Sequence, residues 1–105
     1  MGVGDAVRTL EGVGAAAVGF NCGELTLESA VALVESFAAV ASVPVIAQPN
    51  AGLPELVGGE TVFRETPDSM GEYAKRFVAA GAQVVGGCCG STPEHIRSMV
   101  KALRP

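Results

Sequence analysis

The chain has 105 residues, 49% of them hydrophobic and 17% charged, with 14 glycines and a formal net charge of -4. That length makes one domain, or part of one, with a modest core, and the apolar content excludes disorder. Its apolar runs fall short of the ~20 residues of a spanning helix, and no basic stripe exists to neutralise phosphates, which excludes membrane insertion and nucleic-acid binding.

In chain order, helices and short strands alternate. The opening MGVGDAVRTL carries no apolar signal core, and Ala6 stands where a myristoylation site needs Ser or Thr. Val3 to Glu11 reads as the tail of a helix. Ala15 to Phe20 predicts a short strand ending in GFNCG. A helix follows, with Leu27, Ala30, Val31, Val34, Phe37, Ala38 and Ala41 on one face. Val43 to Ala47 is the next strand, with Pro44 at its tolerant opening position, and it ends in QPNAG.

Residues 53 to 65, LPELVGGETVFRE, break the alternation. Gly58-Gly59 between two short apolar runs predicts a small hairpin or an irregular excursion. Its place after a strand end allows a lid, although a plain surface loop is the ordinary expectation. The next helix begins at Thr66-Pro67 and directs Met70, Tyr73, Phe77 and Ala80 inward. Gln83 to Val85 is the last strand, ending in GGCCG. A final helix from Pro93 to Leu103 carries Ile96, Met99, Val100 and Leu103 on one face.

Thr26, Thr66 and Thr92 are the expected N-caps, with Pro67 and Pro93 in the first turns. Glu24, Glu28 and Glu94 suit positive helix ends, and Tyr73 and the four phenylalanines suit packing. The order α-β-α-β-α-β-α implies parallel strands with right-handed crossovers.

Two segments match each other. GAAAVGFNCG, residues 14 to 23, lies over GAQVVGGCCG, residues 81 to 90, so Cys22 corresponds to Cys89. All three cysteines fall at carboxyl ends of strands, where α/β folds keep their active sites. An odd number of cysteines suits a reducing compartment, and a cytoplasmic protein is expected. Three sulfurs on one rim can hold a soft or borderline metal, zinc foremost. His95 is the one histidine able to complete a tetrahedron, but its position in a first helical turn predicts that it faces water. Three ligands leave a position open, the mark of a catalytic zinc. Two other readings stand beside this one: buried cysteines serving as small hydrophobes, and a Cys88/Cys89 redox pair.

GFNC at 19 to 22, PNAG at 49 to 52 and GGCCGSTPEHI at 86 to 96 resemble the zinc-dependent homocysteine S-methyltransferase domain. That domain occurs in cobalamin-dependent methionine synthase and in betaine- and S-methylmethionine-dependent relatives. The resemblance runs from about Gly12 onward. It implies a (β/α)8 TIM barrel of which this chain holds the last three β/α units. Residues 1–105 would then be the carboxyl-terminal zinc-binding portion, with no second domain.

It further implies Cys22, Cys88 and Cys89 as zinc ligands and as the catalytic set. Asn21 and Asn50 would lie near zinc or substrate, although turn stabilisation explains both equally well. The implied reaction moves a methyl group onto homocysteine, giving methionine, and any domain presenting cobalamin, methyltetrahydrofolate or another methyl donor is absent from this chain. A barrel typically needs ~250 residues, so an oligomer or a companion chain is expected to complete it, and the isolated chain is expected to be inactive. The alternatives are a non-catalytic zinc-binding half-barrel module and a thiol redox protein.

Overall fold

A computed structural model describes residues 2–104. In chain order the elements are α1 (Val3–Gly12), β1 (Val18–Asn21), α2 (Leu27–Val40), β2 (Val45–Gln48), β3 (Pro54–Val57), β4 (Glu60–Phe63), α3 (Pro67–Ala80), β5 (Val84–Val85) and α4 (Pro93–Leu103). The three threonines start the three helices as expected. Thr26 Oγ1 accepts from Ser29 N at 3.0 Å, Thr66 Oγ1 from Ser69 N at 3.1 Å, and Thr92 Oγ1 from His95 N at 3.4 Å. Each such cap contributes about 1 kcal/mol by satisfying an otherwise orphaned amide.

β1, β2 and β5 form a parallel sheet with β2 in the centre. Its register pairs Val18 with Val45 and Phe20 with Ala47, and Ala47 in turn with Val85. Alternation puts these residues on one face. Val18, Val45 and Ala47 are buried in a core with Val34, Phe37, Met70 and Phe77 from the helices. Gly19, Ile46 and Val84 share the opposite face, and Val84 is 49% exposed. The sheet is therefore covered by helices on one side and open on the other. The open side includes the edges offered by β1 and β5.

The first two strands start later than predicted. Val13 to Ala15 serve as the exit of α1, with Gly14 N–H bonded to Glu11 O and Ala15 N–H to Leu10 O, both at 3.0 Å. Those carbonyls need partners more than the strand needs three further residues. After α2, Ser42 N–H and Oγ both donate to Glu11 Oε1, at 2.7 and 2.9 Å, tying the two helices together before β2 begins.

The excursion is a hairpin. β3 and β4 pair antiparallel, Val57 with Glu60, around Gly58 and Gly59 at φ 57 and 82. Positive φ at both central residues is the requirement of a two-residue type I′ turn.

The apolar face expected along α4 is present but only partly covered. Met99 is buried, but Ile96, Val100 and Leu103 are 41%, 49% and 38% exposed. With Val85 they line one open apolar groove, so they do share a face, and none of the described elements covers it. Tyr73 also does more than pack, because its hydroxyl donates to Glu28 Oε1 at 3.0 Å. Among the described residues no helix is long and apolar enough to cross a membrane.

Glu28, in the first turn of α2, is also held by Arg76 of α3, whose Nη2 donates to Oε2 at 2.8 Å. Arg76, and then Tyr73, lower the Glu28 carboxyl from 4.5 to about 2. A carboxyl more acidic in the folded state stabilises the fold fully above pH 4.5 and loses that effect as pH falls through about 2. Both side chains are well exposed, so solvent screening keeps the effect small. In thermal melts, Glu28→Gln is expected to melt slightly below the parent at pH 7, with the gap closing as the pH falls from 4.5 toward 2. A gap independent of pH would assign the loss to packing instead.

Candidate metal centre

The site is made by three chain segments leaving the carboxyl ends of the parallel strands. Cys22 directly follows β1 and has a φ of 55, a left-handed conformation that costs a non-glycine residue of order 1–3 kcal/mol. Its N–H donates to Gln48 O at 3.2 Å, continuing the pairing with β2 for one residue beyond the strand. From there its sulfur lies 2.9 Å from Cys88 Sγ and 3.6 Å from Cys89 Sγ. All three sulfurs fall within 4.8 Å of one another.

The exit of β2 explains how two adjacent cysteines serve one point. Cys88 N–H donates to Pro49 O at 2.9 Å, and Cys89 O accepts from Ala51 N–H at 2.9 Å. Between them Asn50 is buried, with both ends of its amide occupied. Its Oδ1 accepts from Cys89 N–H at 3.0 Å and its Nδ2 donates to Gly23 O at 3.1 Å. One side chain thus bridges the loop of Cys22 and the loop of the doublet. Asn21 is exposed, with its Nδ2 3.9 Å from Cys88 Sγ.

The protons follow from the sulfur contacts. Sharing its hydrogen with Cys88, and then with Cys89, pushes the Cys22 thiol up to about 11. Accepting that hydrogen bond lowers Cys88. The two thiols share a hydrogen, and a cation among the sulfurs would displace it.

The donor set fits zinc. Tetrahedral coordination with Zn–S bonds of ~2.3 Å places sulfurs ~3.8 Å apart. The Cys22–Cys89 separation already matches, and Cys88 need only draw back by about 1 Å. Cys89 is exposed and the other two are half-buried, so the cluster opens to solvent on one side.

His95 does not face water as expected. It is buried, with Nδ1 3.2 Å from Thr92 N and 2.8 Å from Thr92 Oγ1, and Nε2 2.7 Å from Glu65 O. Together with Thr92 it forms a capping box, the imidazole replacing the usual Glu or Gln. Both ring nitrogens are engaged, which removes it as a fourth ligand. The spacing Thr92-Pro93-Glu94-His95 was the available signal. The backbone contributions of Pro49, Ala51 and Glu65 had none, because any residue carries those groups. Phe63 lies against Gly90, whose φ is 79 and where a Cβ would fall 2.2 Å from the ring, so only glycine fits there.

These features define an α/β protein with parallel strands whose carboxyl-terminal rim carries a three-cysteine cluster able to hold a metal ion. The chain belongs to the homocysteine S-methyltransferase family, whose model matches residues 2–103. It is 36% identical over 102 residues to the methionine synthase of Mycobacterium leprae (strain TN), and equally so to that of Mycobacterium tuberculosis (strain ATCC 25618 / H37Rv). Each alignment covers 96% of this chain and 8% of the relative. Its structure is similar to that of the homocysteine methyltransferase MmuM from Escherichia coli in its oxidized form. The TM-score is 0.72 at 27% identity, over 96% of this chain and 30% of that one. The chain thus spans a small part of the length of these relatives.

Proposed function

We propose that this chain is the metal-holding portion of a homocysteine S-methyltransferase, in which Cys22, Cys88 and Cys89 bind zinc and homocysteine is methylated to methionine. The convergence of the three sulfurs within 4.8 Å carries this reading, and family membership names the substrate. On this reading residues 1–105 are the last three β/α units of a (β/α)8 barrel, working in the cytoplasm. The open sheet face and the two free edges are then where other strands complete it, from a longer chain, a second copy or a companion. The methyl donor comes from outside this chain, and cobalamin or methyltetrahydrofolate on another domain would serve.

The chain's own residues have separable tasks. Metal binding at Cys22, Cys88 and Cys89 would displace the thiol protons, so that the cluster presents three anionic sulfurs. Asn50 holds the loops of Cys22 and Cys89 in register, and Asn21 stands at the open side, where it can meet both Cys88 and substrate. The exposed side of Cys89 is the approach for the homocysteine thiol. Bound zinc supplies the acidification that keeps an incoming thiol as thiolate at neutral pH. In the overall reaction a carbon–sulfur bond forms at homocysteine as the bond between methyl and donor breaks.

A second reading, a zinc-binding module without chemistry of its own, is favoured by the apolar groove beside α4 and by the exposure of Val84. X-ray absorption at the zinc edge separates the two. Three sulfur neighbours in the isolated zinc form are expected to become four when homocysteine is added. A count that stays at three under saturating homocysteine would favour the module.

A further inference from the structure

The hairpin is exposed along most of its length, yet it rises from the rim that carries the sulfurs. Its two feet are Ala51 and Glu65, and they are bonded to each other, Glu65 N–H to Ala51 O at 3.3 Å. The first foot also grips the doublet, Ala51 N–H donating to Cys89 O at 2.9 Å. The second foot grips α4 through His95, whose Nε2 is 2.7 Å from Glu65 O. The other nitrogen of that ring returns to the doublet's loop at Thr92 N, at 3.2 Å. A continuous chain of four hydrogen bonds therefore runs from Cys89 through both feet and the imidazole to Thr92.

The protonation of the ring follows from its partners. Thr92 N–H can only donate, so Nδ1 must offer a lone pair. Glu65 O can only accept, so Nε2 carries the hydrogen. The ring is thereby neutral, with a single tautomer. It spans a distance that no backbone bond in this region crosses, between the exit of the hairpin and the start of α4. Phe63 closes the same gap from above, its side chain seated against Gly90 next to Cys89.

We propose that His95 is a positioning residue that clamps the feet of the hairpin to the cysteine doublet and so sets where Cys89 presents its sulfur. This rests on the reading of the three cysteines as a metal centre. His95 acts through Glu65, Ala51 and Thr92 and touches neither metal nor substrate. Supporting hydrogen bonds of this kind typically alter metal affinity by 10–100-fold when removed.

His95→Gln separates clamping from capping. A glutamine at the third helical position can still accept from Thr92 N–H, as in an ordinary capping box, but it has no second ring nitrogen to reach Glu65 O. With Co2+ as probe, read by its thiolate charge-transfer absorption under chelator competition, the variant is expected to bind about 10-fold more weakly than the parent. Its thermal midpoint should stay close to the parent's. Parent-like Co2+ affinity in His95→Gln overturns the proposal and leaves His95 a helix cap, while the metal centre stands. A parent that takes up no Co2+ sinks the metal centre itself.

The unmodified chain offers a second measurement that does not depend on a variant folding. Binding and positioning are reciprocal, so Zn2+ should slow hydrogen exchange together at the Ala51, Glu65 and Thr92 amides. Slowing confined to the Cys88 and Cys89 amides would overturn the clamp.

Discussion

Cys88→Ser is expected to weaken Zn2+ binding by on the order of 100-fold or more, as judged by chelator competition. Cys88 makes a close sulfur contact, 2.9 Å from Cys22, and accepting a hydrogen bond there lowers its thiol from the ordinary value. A serine hydroxyl has nearly the same shape but stays protonated near neutral pH, so the fold should persist while one anionic donor disappears. A ligand that binds only the folded state adds about 2.7 kcal/mol of stability at 100 times its dissociation constant. Zn2+ should therefore raise the melting temperature of the parent and leave that of Cys88→Ser almost unmoved. The parallel changes at Cys22 and Cys89 should behave alike. If all three serine variants keep the parent's zinc affinity, the metal lies elsewhere and the methyltransferase reading loses its chemical basis.

The second large effect is expected at Asn50. Asn50→Ala removes the acceptor of Cys89 N–H and the donor to Gly23 O in a buried position. Each group left unpaired away from water costs about 1–3 kcal/mol. Gly23 is exposed and can turn to solvent, so the total should be about 2–3 kcal/mol. For a domain of this size that is a drop in melting temperature on the order of 10 °C. Zinc affinity should fall with it, because the two cysteine loops lose the buried amide that ties the backbone of one to the backbone of the other. Were Asn50 purely a substrate-binding group, the variant would melt with the parent and only homocysteine affinity would change. Asn21→Ala should show that second pattern, since Asn21 is exposed and touches only Cys88.

Much of this architecture could be read directly from the chain. Thr26, Thr66 and Thr92 marked three helix starts because capping depends on one residue and its immediate neighbours. Gly58-Gly59 marked the hairpin because two consecutive left-handed residues almost require glycine. The match of GFNCG to GGCCG put all three cysteines at strand ends because parallel units repeat their chain direction.

Elsewhere local signals pointed the wrong way or were silent. Residues 15 to 17 have strand composition, yet β1 begins only at Val18, since the open carbonyls of Glu11 and Leu10 claim the amides of Gly14 and Ala15 at the exit of α1. The face of α4 is apolar at helical spacing, but spacing does not say whether anything covers it, and Ile96 and Val100 remain open. His95 was expected in water because histidine usually is part-exposed. Its burial depends on Glu65, thirty residues earlier in the chain, arriving with a free carbonyl.

The amino-acid sequence by itself determined the kind of fold, the family and the placing of the three cysteines at strand ends, because caps, turns, periodicity and motif spacing are properties of neighbours along the chain. Only the tertiary structure decided that the sulfurs meet, that Asn50 joins their loops and that His95 closes the circuit beneath the hairpin. Those outcomes turn on backbone carbonyls and amides from distant segments, which every residue carries alike, so no pattern of side chains announces them.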